Sequence, residues 1–213
     1  MSFHSRDAVV LDHEYSVVGH NRANVGRCLA ILSAALASAF VTLGALWGQL
    51  ATYLGVPQWT NFLVIPVSAA SIYGITHWLF NKWGWMIFFR VVGLPNIAGE
   101  WTCDGQTFDD NGNVSFQWKA QVSITQSWEK IRVYLRSAQS SSSSASAALV
   151  SEGGGRWMLM YSYRNTPRAG EVINPHLGYC ELSFQHGFNQ ADGDYFTARG
   201  RGTSGRMTLT RVQ

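Results

Sequence analysis

Between Cys28 and Asn81 the chain has no Asp, Glu, Lys or Arg, although charged residues are scattered through everything on either side. A helix rises about 1.5 Å per residue, so roughly 20 apolar residues cross the hydrocarbon core of a bilayer. The uncharged stretch is long enough to cross twice, and Gly55-Val56-Pro57 breaks it near its middle. It predicts a two-helix transmembrane hairpin over Leu29–Tyr53 and Trp59–Phe80. A buried helical hairpin in a soluble protein is the competing reading, and the length opposes it.

Other absences narrow the function. The three cysteines lie far apart, with Cys28 at a helix start, so neither a disulfide framework nor a zinc site is signalled. A net charge of +3 is too small to argue for a duplex nucleic-acid binder. The chain has no GxSxG elbow, P-loop or HExxH, and Gly202-Thr203-Ser204-Gly205 lacks the lysine a P-loop needs. Neither catalysis nor a cofactor or metal is expected.

Residues 1–24 mix Arg6, Asp7, Asp12, Glu14 and Arg22 with few apolar runs and read as a short tail or an interfacial segment. A leader cleaved at Ala37-Ser38-Ala39 would be unusually long and would carry acidic residues in its n-region. Residues 25–92 form the transmembrane region, and residues 93–213 a separate polar domain. Arg22 and Arg27 precede the first helix, Lys82 and Arg90 follow the second, and the link from Gly55 to Gln58 has no charge. The positive-inside bias therefore puts both termini in the cytoplasm. Trp59 at one boundary, with Trp83 and Trp85 at the other, suits the two interfacial belts. Pro66 should bend the second helix.

Gly44-Ala45-Leu46-Trp47-Gly48 is a GxxxG, and Ala30, Ala34 and Ser38 repeat small residues at the same interval. Such spacing lets helix backbones approach closely in lipid. Packing within the hairpin and self-association between chains both fit.

After Leu94-Pro95 the period changes to two. Val122 and Ile124 alternate with Ser123 and Thr125, and Ile131, Val133 and Leu135 with Arg132, Tyr134 and Arg136. The pattern recurs and predicts eight antiparallel strands, near 98–106, 116–126, 129–137, 141–151, 156–164, 177–185, 193–199 and 205–212. In hairpin order these suggest an all-β, up-and-down barrel of lipocalin-like form, which leaves no open edge; a two-layer sandwich is the alternative. The run Ser140 to Ser144 reads as a loop leading into a strand. Hairpin order also gathers Asp109 to Asn113, Ser137 to Ser141, Asn165 to Pro175 and Gly200 to Gly205 at one end. That end is the expected ligand mouth. Gly99-Glu100-Trp101, with Arg211 closing the last strand, is similar to the Gly-x-Trp and distant Arg that seal lipocalins, or holds an ordinary strand tryptophan.

Four segments carry a more specific resemblance: Ile124-Thr125-Gln126-Ser127-Trp128, Tyr161-Ser162-Tyr163-Arg164-Asn165-Thr166-Pro167, His176-Leu177-Gly178 and Gly193-Asp194-Tyr195-Phe196-Thr197-Ala198-Arg199. In order and spacing, across residues 25–213, the chain resembles the two-transmembrane, β-strand-rich effectors of bacterial CBASS anti-phage systems. The resemblance implies a cytosolic barrel binding a cyclic dinucleotide made by a partner nucleotidyltransferase (a CD-NTase). It further implies self-association on binding and disruption of the inner-membrane lipid bilayer, an abortive infection.

A cyclic dinucleotide offers two phosphates and two base faces, and so asks for Arg, hydroxyl donors and aromatic platforms. Tyr163, Asn165 and His176 flank one mouth loop, and Tyr195, Thr197, Arg199, Arg201 and Thr203 flank another. Tyr163 also suits a barrel core, His176 a structural hydrogen bond, and Arg199 a solvated loop. A lipocalin-like carrier of a small apolar ligand is the rival reading, and would want an apolar mouth.

Overall fold

Residues 12–56, 68–87, 93–198 and 202–212 are described by the computed structural model. They fall into two units, Asn21–Val92 and Met1–His20 with Gly93–Gln213.

In the first unit, α1 (Arg22–Tyr53) starts earlier than the predicted Leu29, because the Asn21 side chain accepts from the Asn24 N–H at 3.3 Å and caps it. Its 32 residues span roughly 48 Å at a helical rise. Among the described residues it is the one helix long and apolar enough to cross a membrane. Of the second predicted helix, Trp59–Phe80, the described part is α2 (Ala69–Leu79), too short by itself to cross a membrane, capped by Ser68 and continued by a π-helical turn (Phe80–Gly84) and a short α3 (Trp85–Ile87). Pro57, Trp59, Pro66 and Arg90 lie outside the described residues.

The two helices meet where Ser33 Oγ lies 3.1 Å from Thr76 Oγ1. Each hydroxyl is also within hydrogen-bonding distance of a carbonyl of its own helix, so neither is left unpaired in an apolar setting. Ser33 and Ala51 are the buried residues of α1. Gly44 and Gly48 are half-buried and share their face at helical spacing. This register puts the GxxxG on the same side of α1 as the Ser33–Thr76 contact. Six residues past Thr76, the Lys82 ammonium sits 4.6 Å from the Trp83 ring and 5.4 Å from Trp78.

Among the described residues the second unit is a closed barrel of nine strands, not the expected eight. The predicted eight are present as β2 (Gly99–Phe108), β3 (Val114–Gln126), β4 (Lys130–Ser137), β5 (Ser140–Gly153), β6 (Arg156–Pro167), β7 (His176–Phe184), β8 (Gln190–Ala198) and β9 (Ser204–Arg211). They pair in hairpin order, and β9 returns to β2 from Trp101↔Arg211 to Phe108↔Ser204. The ninth, β1 (His13–Val18), falls in the segment expected to be a tail. It pairs antiparallel with β4 at His13↔Ile131 and parallel with β5 from Tyr15↔Ala147 to Val18↔Val150, so the sheet is not purely antiparallel. β4 and β5 pair directly only from Tyr134↔Ser143 to Arg136↔Ser141. A bulge between Ser144 and Ser146 bends β5 away from β4, and β1 fills the gap.

Side chains lock β1 into that seam. Tyr15 and Val17 point inward and are buried. His13 Nε2 lies 2.7 Å from Ser144 Oγ, and Asp12 pairs with Arg132 at 3.5 Å. Gln126 ties both chain entries to the barrel: Nε2 donates to Tyr15 Oη at 3.2 Å and to the Pro95 carbonyl at 3.1 Å, and Oε1 accepts from the Ile97 N–H. Trp128 packs edge-on against His20.

The closed end is apolar. Trp101 is 1% exposed, lies edge-to-face with Phe184 at 5.5 Å, and has the Arg211 guanidinium 5.1 Å from its ring. Arg211 also donates to the carbonyls of Ala98 and Phe188. The Gly-x-Trp and distant Arg therefore form a physical seal. A Cβ on Gly99, at φ +148°, would press on the Arg211 guanidinium.

Candidate ligand-binding site

Inward-facing rows change chemistry along the barrel. Going up β7 from the closed end they read Phe184, Leu182, Cys180, Gly178, His176; on β6 Leu159, Tyr161, Tyr163, Asn165; on β5 Leu149, then Ser144, Ser142, Ser140; on β2 Trp101, Cys103, Gly105, Thr107. The lower half is hydrocarbon and thiol, the upper half hydroxyl, imidazole and amide. Burial pushes the Cys103 thiol up to about 12, helped by Cys180 and Asp104, and burial likewise raises Cys180 to about 12.

A cavity of about 100 Å³ opens at the polar end, and Tyr163, Asn165, His176, Tyr195, Thr197 and Thr203 all line it. The structure thus brings together six of the residues predicted from sequence. Arg199 and Arg201 lie outside the described residues. The cavity is also lined by Thr107, Phe116, Trp118, Ser140, Ser142 and Tyr161, which sequence reasoning did not single out. Trp118 has the inward parity of Val122 and Ile124, and that signal was available. The serine run gave a misleading one. It lies within β5 itself and not in a loop, with Ser140, Ser142 and Ser144 buried. A polar strand interior breaks the apolar-inside rule on which strand reading depends.

Three aromatics lie flat along the wall because the cross-strand partner of each is glycine: Trp118 opposite Gly105, Tyr163 opposite Gly178, Tyr195 opposite Gly205. A Cβ on Gly105 would sit 2.1 Å from the Trp118 ring, and one on Gly178 2.3 Å from Tyr163. Tyr195 Oη accepts from Trp118 Nε1 at 3.2 Å and shares a 2.7 Å hydrogen bond with Thr107 Oγ1. Thr197 and Thr203 clasp each other through hydroxyls 2.9 Å apart and through backbone bonds. Asn165 Nδ2 donates to Ser140 Oγ at 3.0 Å, and His176 Nδ1 lies 2.9 Å from the Asn174 carbonyl.

At the rim Phe116 is half exposed, offering a ring face to solvent. Asp109 fixes the β2–β3 turn by accepting from the Asn113 and Asn111 N–H groups, and the Asn113 bond leads those that hold its carboxyl below the usual range. Arg168 donates to the Ser137 carbonyl at 3.0 Å across the β4–β5 turn. Among the described residues no charged side chain lines the cavity.

Comparison with known proteins matches both units. Residues 92–211 fit the family described as Cap15, cyclic dinucleotide receptor domain, and residues 23–86 the one described as Cap15, TM helices. The chain is 36% identical over 208 residues to CD-NTase-associated protein 15 of Yersinia aleksiciae, covering 94% of this chain and 98% of that protein. With its barrel matched to the receptor domain and its helices to the membrane region, the chain belongs to the Cap15 family of membrane effectors in bacterial CBASS anti-phage defence.

Proposed function

We propose that the barrel mouth binds a cyclic dinucleotide, that binding drives self-association, and that the gathered membrane helices disrupt the bilayer. The observation that carries this reading is the chemistry of the mouth. A carrier of apolar ligands has little use for converging polar groups, and here buried hydroxyls, an amide and an imidazole are set among the aromatic and aliphatic side chains that make up most of the lining, among them Phe116, Trp118, Leu135, Ile173 and Met207. A cavity of about 100 Å³ is also smaller than the roughly 300–1,000 Å³ of sites that enclose a drug-sized ligand. One base therefore enters while the phosphates and second base lie across the rim. Arg199, Arg201 and Arg168 are the proposed phosphate partners, and Phe116 a stacking platform. The role proposed for the site is binding: Asn165, His176, Thr197 and Thr203 offer hydrogen bonds to a ligand from its wall.

Both termini are proposed to be cytoplasmic, with two membrane crossings. β1 supports this reading, because it precedes α1 whereas β2–β9 follow the helices, yet all belong to one barrel. A barrel built from both flanks of a membrane region requires an even number of crossings. Arg22, Arg27 and Lys82 flank the uncharged stretch on that same side.

The test is dye release from vesicles carrying the full chain. Wild type should leak on addition of the bound cyclic dinucleotide. Gly44→Leu with Gly48→Leu should stop the leak by blocking close helix approach, while ligand affinity stays native. Leakage at the wild-type rate would remove the GxxxG from the killing step. No ligand-dependent leak from wild type would sink the effector mechanism.

A further inference from the structure

Asn165 and His176 form a cross-strand pair on β6 and β7. Both face the cavity, and each is only 7% exposed. The Asn165 amide is committed on one side, with Nδ2 donating to Ser140 Oγ. Its Oδ1 is buried without a hydrogen-bond partner among the described residues. A buried oxygen in that state carries an uncompensated desolvation cost, which a ligand donor would relieve. His176 adds a second acceptor. The Asn174 carbonyl beside Nδ1 can only accept, so Nδ1 donates to it, and in that tautomer Nε2 is the acceptor nitrogen. Hydroxyls elsewhere on the wall are engaged with one another, as at Thr197–Thr203 and Thr107–Tyr195.

We infer that the Asn165–His176 pair determines base specificity, selecting a cyclic dinucleotide whose inserted base carries an exocyclic amino group. The inference rests on the cyclic-dinucleotide reading of the mouth. An amino group gives Oδ1 the N–H donor it lacks and offers its second N–H to Nε2. Deamination puts a carbonyl oxygen where the amino group was, which sets lone pair against lone pair at Oδ1, and moves the N–H donor to the neighbouring ring nitrogen, out of register with Oδ1 and Nε2. Sites built to hydrogen-bond a ligand group discriminate strongly against analogues that cannot.

Calorimetry of the full chain in detergent, with ligands that differ by deamination alone, tests this. The pairs are cyclic di-AMP with cyclic di-IMP, cyclic di-CMP with cyclic di-UMP, and cyclic di-GMP with its xanthine counterpart. Within whichever pair binds, the amino member should bind about 10- to 100-fold more tightly. Asn165→Ala should bring that ratio close to one. If the variant does not fold, the wild-type ratio decides alone. A deaminated member binding as tightly as its parent, or a variant that keeps full discrimination, overturns the inference while the receptor reading stands. Failure of every member to bind would overturn both.

Discussion

Replacing Trp101 by alanine is expected to lower barrel stability by about 3–5 kcal/mol, the usual cost of deleting a buried large aromatic. Trp101 is 1% exposed, and its ring carries contacts with Phe184 and the Arg211 guanidinium. Its removal opens the closed end and strips Arg211 of its platform. Trp101→Phe should cost much less, because the Trp101 indole Nε1 has no hydrogen-bond partner among the described residues. Denaturant unfolding of the barrel measures both. Equal midpoints for Trp101→Ala and wild type would mean that the Trp–Arg seal contributes nothing.

The second large effect is expected from β1. A barrel of residues 93–213 should fold on its own, since β2–β9 close through direct pairs and β4 meets β5 at the mouth. Fusing residues 12–20 back should raise its stability by about 3–6 kcal/mol, from burial of the Tyr15 and Val17 side chains at roughly 1.5–3 kcal/mol each. Without β1 the lower edges of β4 and β5 are unpaired, and such edges recruit other chains. The shorter barrel should therefore also self-associate non-specifically. Identical midpoints and identical monomer fractions would show that β1 is a passive appendage.

Much of this architecture can be read from the residues. The lack of charge from Cys28 to Asn81 marks the membrane region, and strand alternation places β2–β9 in their observed order. Chain parity and loop order then locate the mouth and six of the residues that line its cavity. What escaped reading did so for physical reasons. β1 is six residues long and finds its partners more than 100 residues away, across the membrane region, where local periodicity has no reach. Ser140, Ser142 and Ser144 face inward although they are polar. Gly105, Gly178 and Gly205 matter through the space they leave for Trp118, Tyr163 and Tyr195, which is visible only once the strands are paired. Gln126 was part of a recognised segment, but its role as the clamp on both chain entries depends on three-dimensional neighbours.

The central claim is that the cyclic dinucleotide occupies the polar mouth of the barrel. Hydrogen exchange of the full chain, with and without saturating ligand, tests it most directly. The account predicts slowed exchange at residues 137–142, 163–176, 195–198 and 202–203, which surround the mouth, with little change at the Trp101–Arg211 end. Protection confined to the outer wall around Tyr179 and Arg206, with the mouth unchanged, would contradict it.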